Sequence, residues 1–300
     1  MRNRKSGQDF SKNRRPHPGK NRGKPEKTPV PPKMERADRP SGPSPGRPPV
    51  RSSGGAQWLY GQHAVQAALA NPRRKLGRAV LTPRATEALG SRLLARVQVE
   101  TAEPAAIDRL LPPGAVHQGA ALEAWPLKSP DLDDILGEPG EQNGVGAAGV
   151  LRARKIVLVL DQLSDPHNVG AILRTAAAFG VTAVVVQDRH APPQSGALAK
   201  AASGALDIIP YIEVVNIART LDELAERGFW RIALAGDGES SLAEAVPAGD
   251  VALVLGSEGA GIRRLVREHC EASAFIPISK TMESLNVSNA AAIALYELRR

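Results

Sequence analysis

Two polar residues that could take part in chemistry lie six positions apart at the start of one helix-like stretch. Asn168 precedes an apolar run that ends at Gly180, and Arg174 lies within that run. Asn168 is a suitable N-cap for a helix over residues 169–179. A lone arginine at such a position is usually a solvated charge, whereas an arginine beside a carboxylate is held in a fixed orientation by a bidentate pair. Glu258 is a candidate for that carboxylate, and the sequence leaves open whether the two side chains meet.

Glu258 lies in a glycine-rich turn that directly follows an apolar run, Val251 to Leu255, typical of a strand buried on both faces. The turn reads GSEGAG over residues 256–261. Dinucleotide-binding turns have the pattern G-x-G-x-x-G and an acid about 20 residues later, and neither feature is found here. The glycines would let the backbone approach a ligand closely. A simple tight turn would explain them equally well.

A third group of polar residues begins the last helix-like stretch. It consists of Asn286, Ser288 and Asn289. Capping would need Asn286 alone, so three polar residues in four positions indicate that some of them face a ligand. No zinc-ligand spacing, P-loop, Ser-His-Asp order or Cys–His pair stands out. The sequence therefore predicts chemistry that uses neither a metal nor a covalent nucleophile.

Strands that alternate with helices would position these residues. The predicted strands are 156–160, 181–187, 207–211, 231–235 and 251–255, with a further apolar run at 274–278. The predicted helices are 169–179, 195–202, 217–227, 262–269 and a final one from about 286. This alternation predicts an α/β fold with a parallel sheet covered by helices on both faces. Loops that leave the carboxyl ends of such strands can converge on one crevice, where open α/β folds usually bind ligands.

A smaller α/β domain is predicted upstream, over residues 56–127. Its elements are a helix at 63–69, a strand at 79–82, a helix at 87–96, a strand at 97–99, a helix at 105–111 and a strand at 117–125. Its basic cluster either contacts phosphate or forms a solvated loop, and comprises Arg73, Arg74, Lys75 and Arg78. Neither His63 nor His117 has other potential metal ligands near it in the sequence, so we expect both to make structural hydrogen bonds. Residues 128–154 are rich in Gly, Asp, Glu and Pro and predict a linker with one short helix at 132–136.

The charge of the chain is concentrated in its first 55 residues. They hold 15 Lys and Arg and 4 Asp and Glu, which leaves 24 basic and 27 acidic residues for positions 56–300. With 11 prolines and one aromatic residue, the segment is predicted to be a disordered tail. Such a tail either attracts RNA phosphate or only increases solubility. The chain has no run of 18 apolar residues and its N-terminus is too basic for a signal peptide, so we expect a soluble protein.

Cys270 is the only cysteine of the chain. No intrachain disulfide is possible, and a reducing cytoplasm is the expected compartment. We expect Cys270 to be a small buried apolar residue rather than a nucleophile, because free cysteine is among the most buried residue types.

Three stretches together resemble the motifs of the SpoU (TrmH-like) branch of the SPOUT RNA 2′-O-ribose methyltransferases. They are NVGAILRT at 168–175, LGSEGAG at 255–261, and IPI at 276–278 followed by SLNVS at 284–288. Their order and spacing also agree, over roughly residues 155–300. The upstream domain, with GQHAV at 61–65 and HQGA at 117–120, is similar to the L30e-like substrate-binding domain of 23S rRNA guanosine-2′-O-methyltransferases.

The resemblance implies S-adenosylmethionine as the methyl donor, held by backbone in a deep trefoil knot. The residues implied to contact the cofactor are Gly256, Ile276 and Leu285, the last two through backbone around the adenine. The residues implied to form the catalytic group are Asn168, Arg174, Glu258, Asn286 and Ser288. A homodimer whose helices pack across the knot is also implied, with the helix over 287–298 apolar enough to take part. Asn289 is given no role, because relatives often have an apolar residue there.

These implications lead to a specific prediction of function. We expect methylation of a ribose 2′-hydroxyl in RNA, with a guanosine of 23S rRNA as the preferred substrate. A tRNA 2′-O-methyltransferase and a non-catalytic rRNA-binding assembly factor are the alternatives. The upstream domain favours rRNA, since tRNA-specific relatives often lack it, and intact Arg174, Glu258 and Ser288 argue against a non-catalytic factor. We hypothesise that Arg174, oriented by Glu258, binds the phosphate beside the target ribose and stabilises the developing alkoxide.

Overall fold

Four short strands near the start of the described residues form one sheet. The computed structural model describes residues 55–138, 154–279 and 281–300. The strands of this sheet are β1 (Gln57–Tyr60), β2 (Leu76–Leu81), β3 (Gln98–Thr101) and β4 (Ala120–Ala124), in the order β1-β4-β2-β3. Its helices are α1 (Gln62–Ala70), α2 (Pro83–Leu89), α3 (Ser91–Leu94) and α4 (Pro104–Asp108). The predicted tail lies outside the described residues except for Gly55, as does most of the predicted linker.

Two differences from the sequence-based expectation occur in this region. Strand β1 was not expected, because its four residues directly precede a helix and show no alternation. The helix predicted over 87–96 was wrong. Helix α2 ends at Leu89, because the next residue, Gly90, has a φ of 74°, in a region that residues with a side chain rarely adopt, and a separate short helix follows. The short helix predicted at 132–136 is confirmed as α5 (Leu132–Leu136).

The second sheet has seven strands, all parallel. They are β5 (Ile156–Asp161), β6 (Ala183–Gln187), β7 (Tyr211–Val214), β8 (Trp230–Leu234), β9 (Ser240–Ser241), β10 (Val251–Gly256) and β11 (Ala272–Phe275). Their order is β7-β6-β5-β10-β8-β11-β9. The connecting helices are α6 (Pro166–Ala178), α7 (Gly196–Ala202), α8 (Ile217–Glu226), α9 (Leu242–Ala245), α10 (Arg264–Glu268) and α11 (Val287–Arg299). The predicted α/β class and the parallel sheet are confirmed.

Helices cover both faces of this sheet, as the continuous apolar strands require. Alternate residues of β5 belong to different clusters, since Leu158 packs in the cluster that includes α6 and α11, whereas Val159 packs in the cluster that includes α8. The central strands β5 and β10 are buried along their whole length apart from Gly256. Their carboxyl ends therefore form a rigid edge from which loops leave.

The expected start of helix α6 was wrong. Its N-cap is Asp165, whose carboxylate accepts hydrogen bonds from the backbone N–H groups of His167 and Asn168 at 3.2 and 3.1 Å. Pro166 occupies the first helical position, where its missing N–H costs nothing. Asn168 consequently lies within the first turn, and its side chain is available for other contacts.

The strand expected over residues 207–211 was also wrong. Residues Ala205–Asp207 form a short 3₁₀ turn that follows Gly204, whose φ is 95°. Strand β7 begins only at Tyr211, directly after Pro210, which has no N–H to donate to a sheet. The carboxylate of Asp207 is buried and is bound by a residue of the upstream region.

Close contacts join the two sheets. A Cβ on Gly196 of α7 would lie 2.2 Å from the carbonyl oxygen of Trp58 in β1, so only glycine fits there. Arg74 and Asp207 form a buried ion pair, with side-chain exposures of 0 and 2 %. The Lys200 ammonium donates to Oε1 of Gln118 at 2.7 Å, and burial lowers the pKa of Lys200. Arg74, one member of the predicted basic cluster, is therefore a structural residue.

Candidate active site

The glycine-rich turn after β10 is a tight hairpin that projects from the carboxyl edge of the sheet. Ser257 and Gly261 exchange two backbone hydrogen bonds, of 3.2 and 2.8 Å. Gly259 and Gly261 have φ values of 83° and 67°, which the absence of a side chain permits. A Cβ on Gly256 would lie 2.2 Å from the carbonyl carbon of Gly261, so the hairpin can fold back only over a glycine.

Glu258, at the tip of this hairpin, connects all three motifs. Its Oε1 atom accepts hydrogen bonds from Nδ2 of Asn286 at 2.8 Å and from Nδ2 of Asn168 at 3.3 Å. The backbone N–H of Val287 points to the same oxygen at 3.4 Å. The amide of Asn286 also donates to Oδ1 of Asn168 at 2.9 Å. Three segments that are far apart in the sequence are thus joined through one carboxylate oxygen.

Ser288 joins this group through Asn286. Asn286 is the N-cap of α11, and its Oδ1 accepts a hydrogen bond from the Ser288 N–H at 2.9 Å. The Ser288 hydroxyl donates to the same oxygen at 2.5 Å. Asn286 therefore uses its carbonyl to cap the helix and its amide to bind Glu258. Four of the five predicted catalytic residues lie in one hydrogen-bonded group.

Arg174 is not in contact with this group within the chain. Its side chain is exposed and makes no hydrogen bond or ion pair with any residue that the structure describes. The hypothesised pair with Glu258 is not formed within the chain, where the Glu258 carboxylate is bound by amides instead. Six residues of α-helix correspond to about 600° of rotation, so Arg174 and Asn168 leave α6 in directions about 120° apart.

The three predicted cofactor-contacting residues all lie at the same edge of the sheet. Gly256 ends β10, Ile276 directly follows β11, and Leu285 precedes the N-cap of α11. The backbone of Leu285 makes no hydrogen bond with backbone of the described ranges, which leaves its N–H and C=O open to a ligand. Gly236 follows β8, the strand between β10 and β11, and apart from its chain neighbours no described residue lies within 4 Å of the position that its Cβ would take.

Sequence reasoning missed one residue pair at this edge. Asp161 is the last residue of β5 and its side chain is completely buried, where it binds Arg263. The available signal was an acid at the end of an otherwise apolar strand, IVLVLD at 156–161. A charged residue in such a position is buried only if it is paired.

The remaining candidates from the sequence are His117 and Cys270. The His117 ring accepts a hydrogen bond from the Gly119 N–H and contacts Asp108, a structural role as expected. Burial raises the pKa of the Cys270 thiol to about 12, which agrees with an unreactive apolar residue. No group of three or more His, Cys, Asp or Glu residues is arranged for a metal ion within the described ranges. None of the helices in those ranges has the length and apolar character of a membrane span.

Two parts of the chain match known protein families. Residues 155–296 match the family described as "SpoU rRNA Methylase family". Residues 58–130 match the one described as "RNA 2'-O ribose methyltransferase substrate binding". The chain belongs to the SpoU rRNA methylase family.

Individual relatives extend the similarity over both sheets. The chain is 40 % identical over 257 residues to the 23S rRNA (guanosine-2'-O-)-methyltransferase RlmB of Xylella fastidiosa strain Temecula1, covering 81 % of this chain and 96 % of the relative. It is 36 % identical over 247 residues to RlmB of Pseudomonas putida, covering 81 % and 95 %.

Solved structures share the fold. The SpoU methyltransferase AviRb of Streptomyces viridochromogenes, in complex with AdoMet, has a TM-score of 0.65 at 21 % identity and covers 82 % of this chain and 90 % of its own. An AdoMet-bound rRNA methyltransferase of Sinorhizobium meliloti has a TM-score of 0.65 at 23 % identity, covering 82 % and 87 %.

Proposed function

We propose that this protein transfers a methyl group from S-adenosylmethionine to the 2′-hydroxyl of a guanosine in 23S rRNA. The observation that carries the proposal is the convergence of Asn168, Asn286 and Ser288 around Glu258. These are the residues of the family motifs, and they are hydrogen-bonded to each other at the edge of the sheet where open α/β folds bind ligands. The RlmB relatives, which match nearly over their full lengths, supply the substrate class.

The carboxyl edge of the sheet fits the proposed cofactor. Adenine is recognised through directional hydrogen bonds, and the open backbone groups of Leu285 can provide them. The space beside Gly236, Gly259 and Gly261 would let a ligand approach the backbone at this edge of the sheet. Gly256, Ile276 and Leu285 would hold the cofactor, which supplies an electrophilic methyl group when bound.

The polar group would orient the ribose. The Ser288 hydroxyl donates a hydrogen bond to Asn286. The lone pairs of its oxygen therefore remain free to accept a hydrogen bond from the 2′-hydroxyl. Holding the attacking oxygen within about 3–3.5 Å of the methyl carbon can supply up to roughly 7–11 kcal/mol of the barrier reduction. The second carboxylate oxygen of Glu258, Oε2, has no hydrogen-bond partner among the described residues and is available to a cation or a hydroxyl.

Arg174 would bind the phosphate beside the target ribose and stabilise the developing alkoxide. A guanidinium is not deprotonated in proteins, so electrostatic stabilisation is the role open to it. Since Arg174 does not reach Glu258 in its own protomer, we propose that it acts at the site of a second copy, next to Oε2 of the partner's Glu258. An exposed apolar stripe on α11 supports a homodimer, since Ile293 and Tyr296 are 44 and 61 % exposed.

The domain arrangement and the compartment are part of the same proposal. The region of residues 56–127 would bind RNA and that of residues 155–300 would catalyse methyl transfer, in agreement with the two family matches. Ribosomal RNA as substrate puts the activity in the cell interior, and we propose the cytoplasm. The trefoil knot implied by the family stays a prediction about the path of the chain.

Methyl transfer assays test the activity. The wild-type protein should transfer tritiated methyl groups from S-adenosylmethionine to a 23S rRNA transcript, and mapping should identify one guanosine 2′-hydroxyl. The variant Glu258→Gln should lose at least about 10²-fold in kcat, because the carboxylate that orients two amides and a cation loses its charge. Glu268→Gln, an exposed acid on α10, is the matched control. Transfer to tRNA alone, or to no RNA, would contradict the proposal.

Mixed dimers test the placement of Arg174. Arg174→Ala and Glu258→Gln should each be inactive alone, and activity should return when the two variants are mixed, because some heterodimers contain one intact site. Ile293→Glu should shift the protein towards monomer in sedimentation velocity, whereas Val215→Glu, at a 72 % exposed position away from α11, should not. A wild-type monomer, or the lack of any recovery on mixing, would refute this arrangement.

A further inference from the structure

The carboxylate of Asp161 is completely buried, and Arg263 binds both of its oxygens. Its Oδ2 accepts a hydrogen bond from the backbone N–H of Arg263 at 2.9 Å. Its Oδ1 accepts from Nε of Arg263 at 2.8 Å and lies 2.6 Å from Nη2 of the same guanidinium. The Asp161 side chain is 0 % exposed, whereas that of Arg263 is 38 % exposed. A buried charge with such geometry is held rigidly, since every alternative position would leave it without partners.

Asp161 contacts both ends of the hairpin that carries Glu258. Its backbone is paired with Gly256, the residue before the hairpin, in the β5–β10 register. Its side chain binds Arg263, two residues after the hairpin closes at Gly261. The segment of residues 257–262 is therefore anchored at each end on a single residue of the most buried strand.

The same residue also precedes the first motif. Gln162 follows Asp161 with a φ of 59°, and the chain then enters α6 and reaches Asn168. Asp161 is thus connected to both partners of the hydrogen bond between Asn168 and Glu258. It is connected to Asn168 through the chain that leads into α6, and to Glu258 through Arg263 and the hairpin. A small shift of Asp161 would change the separation of these two side chains.

We propose that Asp161 is a positioning residue for methyl transfer, acting through Arg263 to set the place of the Glu258 carboxylate. The inference rests on the proposed function, because its activity readout requires that reaction. Asp161 touches neither substrate nor cofactor in this scheme. A misplacement of about 1 Å at a catalytic group can cost roughly 10²-fold in rate, so that loss is expected when the anchor is weakened.

Three variants test the proposal in the full-length protein. Asp161→Asn keeps the size of the side chain and removes its charge, Arg263→Lys keeps a charge but removes the planar guanidinium, and Arg264→Gln is the control. Arg264 is next to Arg263, but its side chain is 85 % exposed and, among the described residues, pairs only with Glu268. For each variant, kcat, KM for both substrates, and hydrogen exchange of a peptide covering residues 257–263 are measured.

The expected result separates positioning from general destabilisation. Asp161→Asn should lower kcat about 10²-fold and accelerate exchange in the hairpin peptide, with exchange in α8 unchanged. Arg263→Lys should lower kcat by about 10-fold. The effect is intermediate because the lysine ammonium keeps the charge but cannot reproduce the two-nitrogen contact of the guanidinium with Asp161. Arg264→Gln should match the wild type in both measurements. Glu258→Gln should be inactive while its hairpin exchange stays normal.

Defined outcomes would overturn the inference. Wild-type kcat or wild-type hairpin exchange in Asp161→Asn would do so, as would acceleration of exchange equally in α8 and the hairpin. If Asp161→Asn does not fold, Arg263→Lys decides, and unchanged hairpin exchange in that variant refutes the proposal. An inactive wild type would refute the proposed reaction instead, and the exchange measurements would still show whether Asp161 anchors the hairpin.

Discussion

Removal of the Arg74 side chain should strongly destabilise the protein. Arg74 and Asp207 are both buried, and the guanidinium donates to both carboxylate oxygens, at 2.6 and 3.1 Å. It also donates to the carbonyl of Trp125 at 3.0 Å, while Asn71 donates to Asp207 Oδ1 at 3.0 Å. In Arg74→Ala, the Asp207 charge would remain buried, and the Asn71 amide would be its one remaining side-chain partner in the described part of the chain.

The expected cost follows from this geometry. Breaking a buried pair by removing one partner costs about 3–5 kcal/mol. For a protein of this size each kcal/mol lowers Tm by roughly 2–4 °C, so Tm should fall by about 6–20 °C. Replacing both partners, Arg74→Met with Asp207→Leu, should recover most of the loss, because no unpaired charge remains and Asn71 can still donate to the carbonyl of residue 207 at 3.3 Å.

Urea unfolding and thermal denaturation measure the effect, with Arg73→Ala as the control. The Arg73 side chain is exposed, so its removal should change stability by no more than about 0.5 kcal/mol. Binding of a 23S rRNA transcript is measured alongside. Suppose that Arg74→Ala is destabilised by less than about 1 kcal/mol while it binds RNA more weakly than Arg73→Ala. Arg74 would then contact phosphate, and the reasoning from the buried pair would be refuted.

Two further predictions concern the site and the cysteine. Gly256→Ala should lower methyl transfer at least about 10²-fold and stability by about 1–3 kcal/mol, because the new Cβ would lie 2.2 Å from Gly261 backbone. The control is Gly249→Ala, whose new Cβ would have no contact within 4 Å and should leave methyl transfer and stability unchanged. A fully active Gly256→Ala would contradict the packing argument. Burial disfavours the thiolate and raises the pKa of Cys270 to about 12. A disulfide reagent at pH 8 should therefore react with it roughly 10³-fold more slowly in the native protein than in urea, where the pKa returns to about 8.5; equal rates would refute the assignment.

Strands and helices of the catalytic region could be predicted because their apolar runs agree with their final burial. The runs at 156–160 and 251–255 became the two central strands almost residue for residue. Errors arose where competing local interactions decided the outcome. Asn168 is a good cap in isolation, but Asp165 followed by Pro166 is a better one, and the helix starts three residues earlier than expected.

The site was predicted only in part, for a physical reason. Motif resemblance selected the residues, and the structure brings Asn168, Asn286 and Ser288 to Glu258. The partner of Arg174 could not be inferred, because a spacing along the chain says nothing about which direction a side chain takes in the folded protein. Asp161 was missed because its side chain contacts a residue 102 positions away, which no local pattern records.

The glycine contact between the two sheets has a consequence for substrate choice. Because Gly196 lies against the carbonyl of Trp58, a shift of one sheet towards the other would produce a steric clash. The buried Arg74–Asp207 pair opposes the reverse movement, so an RNA that touches both sheets must match a single separation. When the match holds, attachment at one sheet raises the effective concentration of the RNA at the other. An RNA with the right nucleotide but the wrong span would bind one surface at a time and lose that gain.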